Sequence, residues 1–571
     1  MKHKLVVLGL TAAGALWTVI AILMEDVAPV AVAGVLLIFA ASYLRTGPVV
    51  WFAISFGAVL AFQSYQSRGL LWGTGFSLLA LAVLAFPVST DWLRIYSPYQ
   101  LIERGPGRNG QVCLKAAGHY YQRILDLSKA KVAASDDEKD KYAALYYEFP
   151  YKVFGKAADI AIVGSGTGND VAAALRSGVK HIDAIEIDPV IMQTGEKFHP
   201  EKPYSDPRVH KIVNDARSHL RTTDETYDMI VYGLLDSHTL LSHASSVRLD
   251  SFVYTVEGLT EAKDRLRDGG VLSLSFCVLA KELGRKIYKM MEEAFGRPPI
   301  CVRAGYDMSV IFVQAKDRDL KIPKQLFEQS GLEDCTAEYA DPTLEADVST
   351  DDWPFFYMPK RVYPMSYVFM MILIVALSVI LMGNFLGQRP RVGHIAFFLL
   401  GAGFMLVETK GITELGLTFG NTWHVIGIVI VGILLMGFLA NCLVRCTSIR
   451  KPWIPYAILI ATLAAGYFVS RAGGFGSTTW GRIATAALLT CPLFASGLVF
   501  SSLLRSGVDM PGVMAMNLLG AMFGGILEYN SMYFGFRFLY LLAIGLYALA
   551  MLSSLLAPLK GQAAPVRSAE G

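Results

Sequence analysis

The sequence predicts a multi-span α-helical membrane protein that carries an inserted α/β domain. Of the 571 residues, 53% are hydrophobic and only 17% are charged, a balance too apolar for an ordinary soluble chain. Long apolar runs lie on both sides of a polar middle region. Within that region, short apolar runs of strand length alternate with helical stretches, which is typical of a parallel sheet covered by helices.

The apolar runs form two groups. Most are close to the ~20 residues that a helix needs to cross ~30 Å of hydrocarbon. We predict an amino-terminal bundle of about four helices within residues 1–90 and a second bundle of about seven within 363–560. The apolar segments are 5–24, 28–44, 48–65, 69–88, 366–387, 393–416, 422–444, 454–470, 483–504, 509–530 and 537–557. The small, polar residues 561–571 are predicted to be disordered.

Residues 91–362 are predicted to form the α/β domain. Its strands are DIAIVGSG, HIDAIEID, DPRVHKIVNDA, YDMIVYGLLD and GGVLSLSF, and the helix DVAAALRSG lies between the first two. This order predicts a doubly wound sheet that binds its ligand at the carboxyl ends of the strands. Upstream, GPGRNG separates two extended runs, which we interpret as a small β-hairpin that caps the ligand cleft.

A glycine-rich turn joins the first strand to its helix. Gly164, Gly166 and Gly168 let the backbone turn sharply and approach a ligand without interference from a Cβ atom. The spacing differs from the dinucleotide fingerprint, and an ordinary tight turn would also explain it. Glu186 ends the second strand and can accept hydrogen bonds from both hydroxyls of a ribose, and Asp215 ends the third and can accept from an adenine amino group. Together the three strand ends predict an adenosyl ligand without a pyrophosphate.

Several separate motifs between residue 96 and about residue 300 resemble the spermidine synthase family of aminopropyltransferases. They are SPYQ (97–100), YYE (146–148), IVGSGTGND, EID (186–188), DPRVHKIVNDA and LDSFVYTVEGL. The resemblance implies a spermidine-synthase- or methyltransferase-like sheet with decarboxylated S-adenosylmethionine as its co-substrate. It also implies Tyr146 as a catalytic-site contact to the amine acceptor. The donor-binding residues that it implies are Gln100, Gly164, Ser165, Gly166, Gly168, Glu186, Ile187, Asp215 and Ala216.

Two positions depart from the pattern of that family. The family has an acid in the glycine loop where this sequence has Thr167, and its acid–base aspartate ends the fourth strand where this sequence has Gly233. Aminopropyl transfer needs an unprotonated amine close to the carbon beside a sulfonium, so a carboxylate must take the amine proton. Asp236 is the predicted carboxylate that takes this proton, backed by Glu148 and by His238. The alternatives are a structural loop carboxylate at Asp236 and an ion-paired carboxylate at Glu148.

Other classes of site find little support in the composition. The seven cysteines are scattered without a C-x-x-C pair, and the ten histidines lack metal-ligand spacing, so we predict neither a metal site nor a disulfide framework. The net charge of +3 is small, and no basic stripe interleaved with aromatic residues indicates nucleic-acid binding.

Polar side chains in the second apolar group are costly in lipid. Glu408, Lys410 and Glu414 lie in one segment, and each ionised group costs roughly 2.5–3.5 kcal/mol at a bilayer centre. Either an ion pair locks helices together there, or the groups line a polar cavity for a head group or solute. Glycines that allow close helix packing lie at 520, 524 and 525. The segment TDDWPFFYMPKR, residues 350–361, is predicted to anchor at the membrane interface through its aromatic rings.

These features predict an integral-membrane aminopropyltransferase. Four amino-terminal spans place Lys2, Lys4 and Arg45 on the side of the catalytic domain, which favours a cytosolic domain at the inner cell membrane, although the arginines of the second bundle do not fit this topology. The predicted partners are membrane lipids and an amine acceptor, either an aminophospholipid head group or a polyamine, and a homo-oligomer is compatible with the sequence.

Two alternatives stay open. The first is a methyltransferase that uses intact S-adenosylmethionine, because Thr167 removes an acid that would repel the carboxylate of that donor. The second is a transporter or sensor whose cytosolic domain only binds a nucleoside or polyamine.

Overall fold

The computed structural model describes the chain between residues 47 and 556 with several gaps. The described ranges are 47–63, 69–85, 91–107, 110–116, 118–155, 157–235, 251–328, 332–363, 365–385, 394–447, 453–476, 478–505 and 510–556. The apolar segments 5–24 and 28–44, the tail 561–571, and Asp236 and His238 lie outside these ranges. The chain divides into two compact units after Lys360.

The described part of the first unit begins with two apolar helices and a small antiparallel sheet. The helices are α1, Pro48–Gln63, and α2, Gly69–Ala85. The strands are β1 Leu93–Tyr96, β2 Leu101–Pro106, β3 Val112–Ala116 and β4 His119–Arg123, paired in that order. The hairpin expected around GPGRNG is β2–β3, with Ile102 opposite Ala116. We call the four strands the cap sheet, and it is larger than the single predicted hairpin.

A second sheet forms the centre of the first unit. Its strands are β5 Asp159–Val163, β6 His181–Glu186, β7 Val209–Val213, β8 Tyr227–Tyr232, β9 Leu266–Cys277, β10 Ile300–Arg303, β11 Ser309–Ala315 and β12 Glu333–Asp334. Their spatial order is β12-β10-β11-β9-β8-β5-β6-β7. Strands β5 to β9 pair in parallel, and β10, β11 and β12 continue the sheet in antiparallel pairing.

Helices connect the strands of this sheet. They are α3 Lys129–Ala133, α4 Glu138–Phe154, α5 Asn169–Arg176, α6 Pro189–Phe198, α7 Ala216–Thr222, α8 Val256–Asp264, α9 Lys281–Phe295, α10 Lys324–Glu328 and α11 Thr336–Ala340. The start of α6 is capped by Asp188 and that of α8 by Thr255, since each side chain accepts a backbone N–H of the first turn. The predicted α/β sheet with its five parallel strands is therefore confirmed.

The register of the central strands brings their carboxyl ends to one edge. Val163 at the end of β5 lies opposite Ile185 of β6 and Tyr232 of β8. Glu186 at the end of β6 lies opposite Val213 of β7. The segments that leave these strands are thus neighbours in space, which is the arrangement that builds ligand sites in sheets of this kind.

The aromatic segment before the second unit lies in the core of the first. Trp353 and Phe356 are both 0% exposed, and Phe356 stacks on Tyr254 with ring centroids 4.6 Å apart. The Lys286 ammonium donates to the Phe355 carbonyl at 2.9 Å, and Arg217 binds Asp351 at 2.7 Å. The expectation of interface anchoring is therefore wrong, because these rings fill the apolar interior of the domain.

Helices make up the described part of the second unit. They are α12 Met365–Phe385, α13 Ile395–Phe419, α14 Trp423–Cys446, α15 Trp453–Arg471, α16 Thr479–Leu504, α17 Met510–Leu527, α18 Ser531–Phe534 and α19 Phe538–Leu556. By length and composition, six helical stretches among the described residues could cross a membrane, namely Ile395–Phe419, Trp423–Cys446, Trp453–Arg471, Thr479–Leu504, Met510–Phe534 and Phe538–Leu556.

The polar groups on α13 form an internal ion pair. Lys410 Nζ lies 2.9 Å from Glu414 Oε1, and both side chains are buried. The hydroxyls of Ser470 and Tyr540 also donate to the Glu414 carboxylate. Of the two interpretations of these residues, the contacts favour the ion pair that joins helices.

Close packing of α13 and α17 depends on small residues. A Cβ atom at Gly520 would lie 1.9 Å from the Phe398 carbonyl oxygen, and one at Gly524 would lie 2.2 Å from that of Ala402. Any larger side chain at these two positions would push the helices apart. A Cβ at Gly525 would meet nothing within 4 Å, so this glycine plays no part in the contact.

Candidate active site at the carboxyl ends of the strands

The glycine loop between β5 and α5 has a backbone that other residues adopt only under strain. Gly164, Gly166 and Gly168 have φ angles of 72°, 55° and 101°, in the left-handed region. The N–H groups of Gly164 and Ser165 both donate to the Ile185 carbonyl, at 3.0 and 2.9 Å. The loop is thereby fastened to the end of β6.

Tyr204 supports the loop from the other side. Its hydroxyl donates to the Gly166 carbonyl at 2.7 Å and lies 3.0 Å from the Ser165 hydroxyl. A Cβ at Gly168 would come within 2.8 Å of the Pro203 ring. Tyr204 is buried, so these bonds are shielded from water and the loop is held in one shape before any ligand binds.

Glu186 is a buried carboxylate that joins the loop to the end of β6. Its Oε2 accepts the Gly166 N–H at 2.9 Å, and its Oε1 accepts the Asp188 N–H at 3.0 Å. Burial raises the pKa of this carboxyl to about 7. Each carboxylate oxygen has a further lone pair, so the group can still accept hydroxyl donors such as those of a ribose.

The other residues predicted at the strand ends have structural roles in the free protein. Asp215 is the first capping residue of α7, and its Oδ1 accepts the Ser218 N–H at 2.8 Å. Ala216 is the first residue of that helix, and Ile187 is partly exposed directly after Glu186. A contact of these three residues to an adenine stays a prediction.

A glutamine of the cap sheet reaches the glycine loop, and the donor contact of Gln100 stays a prediction. Gln100 lies in the turn between β1 and β2, where its N–H donates to the Ser97 hydroxyl at 3.0 Å. Gln122 on β4 instead accepts both the N–H and the hydroxyl of Thr167, each at 3.1 Å. The cap sheet thus meets the loop through Gln122 and Thr167.

Tyr146 belongs to a buried cluster of three tyrosines. Its ring centroid lies 4.8 Å from that of Tyr147 and 5.0 Å from that of Tyr306. The Tyr147 hydroxyl accepts the Asn169 side-chain amide at 3.2 Å, and Asn169 begins α5 directly after the glycine loop. The cluster is therefore linked to the loop through Asn169, and the acceptor role of Tyr146 stays a prediction.

Glu148 takes part in an ion-pair network at the far end of α5. Its carboxylate lies 3.6 Å from Arg176 Nε and 3.4 Å from Lys152 Nζ. Arg176 also binds Glu201 at 2.7 Å. Arg176 ends α5, about seven residues and roughly 10 Å of helical rise beyond its start. These contacts favour a structural role for Glu148 over a catalytic one.

Gly233 lies directly after β8 and has no side chain, but a carboxylate from α5 lies beside it. The Gly233 N–H donates to the Val163 carbonyl at 3.0 Å. A Cβ at Gly233 would lie 3.1 Å from Asp170 Oδ2 and 3.1 Å from the Gly164 carbonyl oxygen. Asp170 is 8% exposed, and burial raises the pKa of its carboxyl to about 7. Asp236, three residues beyond Gly233, lies outside the described residues and stays a prediction.

A cavity of about 680 Å³ lies between the cap sheet, the start of α4 and the β10–β11 turn. Its lining includes Trp92, Lys115 and Arg123 from the cap region together with Asp140 and Tyr306. Both signs of charge are therefore present around it. Among the residues that the structure describes, no group of three histidine, cysteine or acidic side chains could hold a metal ion.

Residues 140–317 match the family model described as the spermine/spermidine synthase domain. Over 143 residues the chain is 29% identical to the polyamine aminopropyltransferase of Korarchaeum cryptofilum, which covers 24% of this chain and 42% of that enzyme. Over 115 residues it is 33% identical to the spermine synthase of Arabidopsis thaliana, which covers 19% of this chain and 32% of that protein.

A solved spermidine synthase from Thermotoga maritima aligns with 42% of this chain and 83% of its own length, with 16% identity and a TM-score of 0.31. The chain spans less than half the length of the curated relatives named above. Residues 140–317 are thus a spermine/spermidine synthase domain, homologous to part of the polyamine aminopropyltransferases.

Proposed function

We propose that the protein is an integral-membrane aminopropyltransferase that uses decarboxylated S-adenosylmethionine as donor and an amine as acceptor. The match of residues 140–317 to the spermine/spermidine synthase domain is the observation that carries the proposal. The preformed glycine loop and the buried Glu186 support it, since the glycines let the backbone approach a ligand closely and Glu186 supplies a carboxylate where an adenosine would bind. The catalytic domain faces the cytosol at the inner membrane.

The acceptor is the amine of a phospholipid head group, with a soluble polyamine as the alternative. An apolar helix packs on the cap sheet: Trp51 of α1 lies edge-to-face with Tyr96 of β1, with ring centroids 6.3 Å apart. Phe52 and Phe76 on the two apolar helices are 45% and 66% exposed, which suits contact with lipid better than contact with water. A cleft beside lipid-embedded helices meets a head-group amine without that amine leaving the membrane plane.

The transfer chemistry is an in-line displacement. The lone pair of a neutral amine attacks the methylene carbon beside the sulfonium, and the carbon–sulfur bond breaks with its electron pair on sulfur. The sulfur leaves as a neutral thioether on the adenosine, and the new ammonium loses its extra proton to a carboxylate. The protein's task is to hold the two reactants close and to dispose of that proton.

Methyl transfer from intact S-adenosylmethionine is the second candidate. One contact favours it: Thr167 and the neutral amide of Gln122 occupy the place of an acid that would repel the carboxylate of that donor. An acid at this position would instead bind the primary amine of the decarboxylated donor, which no longer has a carboxylate to be repelled. The two candidates therefore make opposite predictions about which donor binds more tightly.

The acceptor can be tested with the full-length chain in vesicles. Two vesicle compositions are compared, one containing phosphatidylethanolamine and one containing only phosphatidylglycerol, each with decarboxylated S-adenosylmethionine and with or without putrescine. We expect mass spectrometry to find an aminopropyl unit added to phosphatidylethanolamine. Aminopropylation of putrescine alone would refute the lipid acceptor and keep the transferase. Glu196→Gln, which removes an exposed carboxylate that pairs with Lys211 at 2.7 Å, serves as the active control.

A further inference from the structure

The acid that the related enzymes place at the end of the fourth parallel strand is absent from that strand here. Gly233 occupies its position and has no side chain, and its backbone is not in the left-handed region that would itself require glycine. Absence of a side chain at this point leaves a space beside the glycine loop, since a Cβ here would lie 3.1 Å from the Gly164 carbonyl oxygen.

That space is filled by a carboxylate from another element. A Cβ built on Gly233 would lie 3.1 Å from Asp170 Oδ2 and 3.7 Å from its carboxyl carbon. The distance of 3.1 Å is too short for comfortable contact, so the Asp170 carboxylate and a side chain at position 233 compete for one volume. We propose, resting on the transferase function above, that Asp170 supplies the proton-accepting carboxylate of the reaction from the first helix, in place of the missing strand residue.

The surroundings of Asp170 suit a group that exchanges a proton near neutral pH. Among the described residues, three neutral tyrosines interact electrostatically with Asp170, namely Tyr147 and Tyr151 of α4 and Tyr204 after α6. Burial raises the pKa of each tyrosine, and the Asp170 carboxylate raises it further. The Tyr151 hydroxyl is buried and makes no hydrogen bond with any described residue. Burial raises the pKa of Asp170 to about 7, which matches the pKa of an efficient general base.

A structural role is the competing explanation, because Asp170 lies in the first turn of α5, where a negative charge stabilises the helix. That role predicts a carboxylate that stays ionised and a pKa that is lowered. Burial beside three tyrosines has the opposite effect and makes the charged form costly. A purely structural acid would also have no reason to occupy the volume at the end of β8.

The test uses the full-length enzyme in lipid and moves the carboxylate from position 170 to position 233. Asp170→Asn should lower kcat by about 10² while the affinity for donor stays near that of the parent and the melting temperature does not fall below it, and alkaline pH should restore part of the rate, since more acceptor amine is then neutral. Asp170→Ala should be equally impaired. Adding Gly233→Asp to Asp170→Ala should regain at least about tenfold in kcat, because the carboxylate returns to the strand.

Asp183→Asn is the matched control. It removes a buried carboxylate from the middle of β6, bonded to the Tyr227 hydroxyl at 2.7 Å, and should leave kcat unchanged. Parental kcat in Asp170→Asn would overturn the inference and leave the transferase intact, and so would a double variant no faster than Asp170→Ala. No transfer by the parent itself, with any amine, would instead remove the proposed function and this inference with it.

Discussion

Replacing Glu186 with glutamine should weaken donor binding by a defined amount. Both carboxylate oxygens already accept a backbone N–H, from Gly166 at 2.9 Å and from Asp188 at 3.0 Å. A carboxamide has only one oxygen, so its NH₂ group must face one of these two donors, and one loop contact is lost. The charge that would strengthen bonds to ribose hydroxyls is lost too. A charge-assisted bond is worth ~1.5–3 kcal/mol, so the affinity should fall about 10- to 100-fold.

The pH dependence of binding provides an internal check on the same residue. With a pKa of about 7, the Glu186 carboxyl is mostly ionised at about pH 8 and about one-tenth ionised at about pH 6. If only the ionised form binds well, the apparent affinity of the parent should fall about tenfold over that range. Glu186→Gln has nothing to titrate and should give a much flatter profile.

The assay is isothermal titration calorimetry of the full-length chain in nanodiscs with decarboxylated S-adenosylmethionine. Glu196→Gln is the control, because it removes an exposed carboxylate of the same domain and should bind as the parent does. Equal affinity of Glu186→Gln and the parent at about pH 8 would refute the assignment. A parent whose affinity does not change between about pH 6 and about pH 8 would refute the explanation by buried charge.

Further predictions concern the loop and the stability of the first unit. Gly166→Ala should lower donor affinity and melting temperature, because its Cβ would lie 2.8 Å from the Gln122 amide at a φ of 55°. Arg217→Met should destabilise the domain by about 3–5 kcal/mol, since it removes the cation that binds Asp351, while Glu261 keeps its pair with Arg221. The fluorescence of the buried Trp353 in urea would report this, and a shift under about 1 kcal/mol would contradict it. The pKa values of Asp170 and Glu186 are about 7 in the folded protein, above those of an unfolded chain, so protonation of these two groups stabilises the fold. This stabilisation is full below about pH 4 and is lost as the pH rises through about 7. Hydrogen exchange of the strand amides is measured for the parent and for Asp170→Asn below and above this range of pH. At the higher pH the amides of the parent should be less protected than those of Asp170→Asn, and equal protection would contradict the argument.

The five parallel strands could be predicted, in their order along the chain, because short apolar runs and glycine turns are local features of the sequence. The run IAIV, residues 160–163, is buried and therefore lacks polar residues, and a turn that requires left-handed backbone selects glycine at 164, 166 and 168. The antiparallel strands β10 to β12 escaped prediction, since β12 has only two residues and β10 only four. Strands of that length carry too few residues to show a period.

Side-chain contacts across the fold were harder to predict. Gln100 and Gln122 have the same chemistry, and only the pairing of the cap strands decides which amide reaches Thr167. The rings around Trp353 look like interfacial anchors in sequence, yet they are buried because Lys286 and Arg217 bind the backbone and the acid beside them. Burial of this kind depends on residues that are distant in the chain. For the same reason the contact between Asp170 and the end of β8 had no signal in the sequence.

The reaction itself is tested most directly by letting the two donors compete. The full-length protein in nanodiscs that contain phosphatidylethanolamine is given equal amounts of decarboxylated S-adenosylmethionine, labelled in its aminopropyl carbons, and S-adenosylmethionine, labelled in its methyl carbon. Mass spectrometry of lipids and soluble amines then identifies the transferred group. The account predicts a labelled aminopropyl unit on an amine, lost in Glu186→Ala. A labelled methyl group on the product, with no aminopropyl transfer, would contradict it.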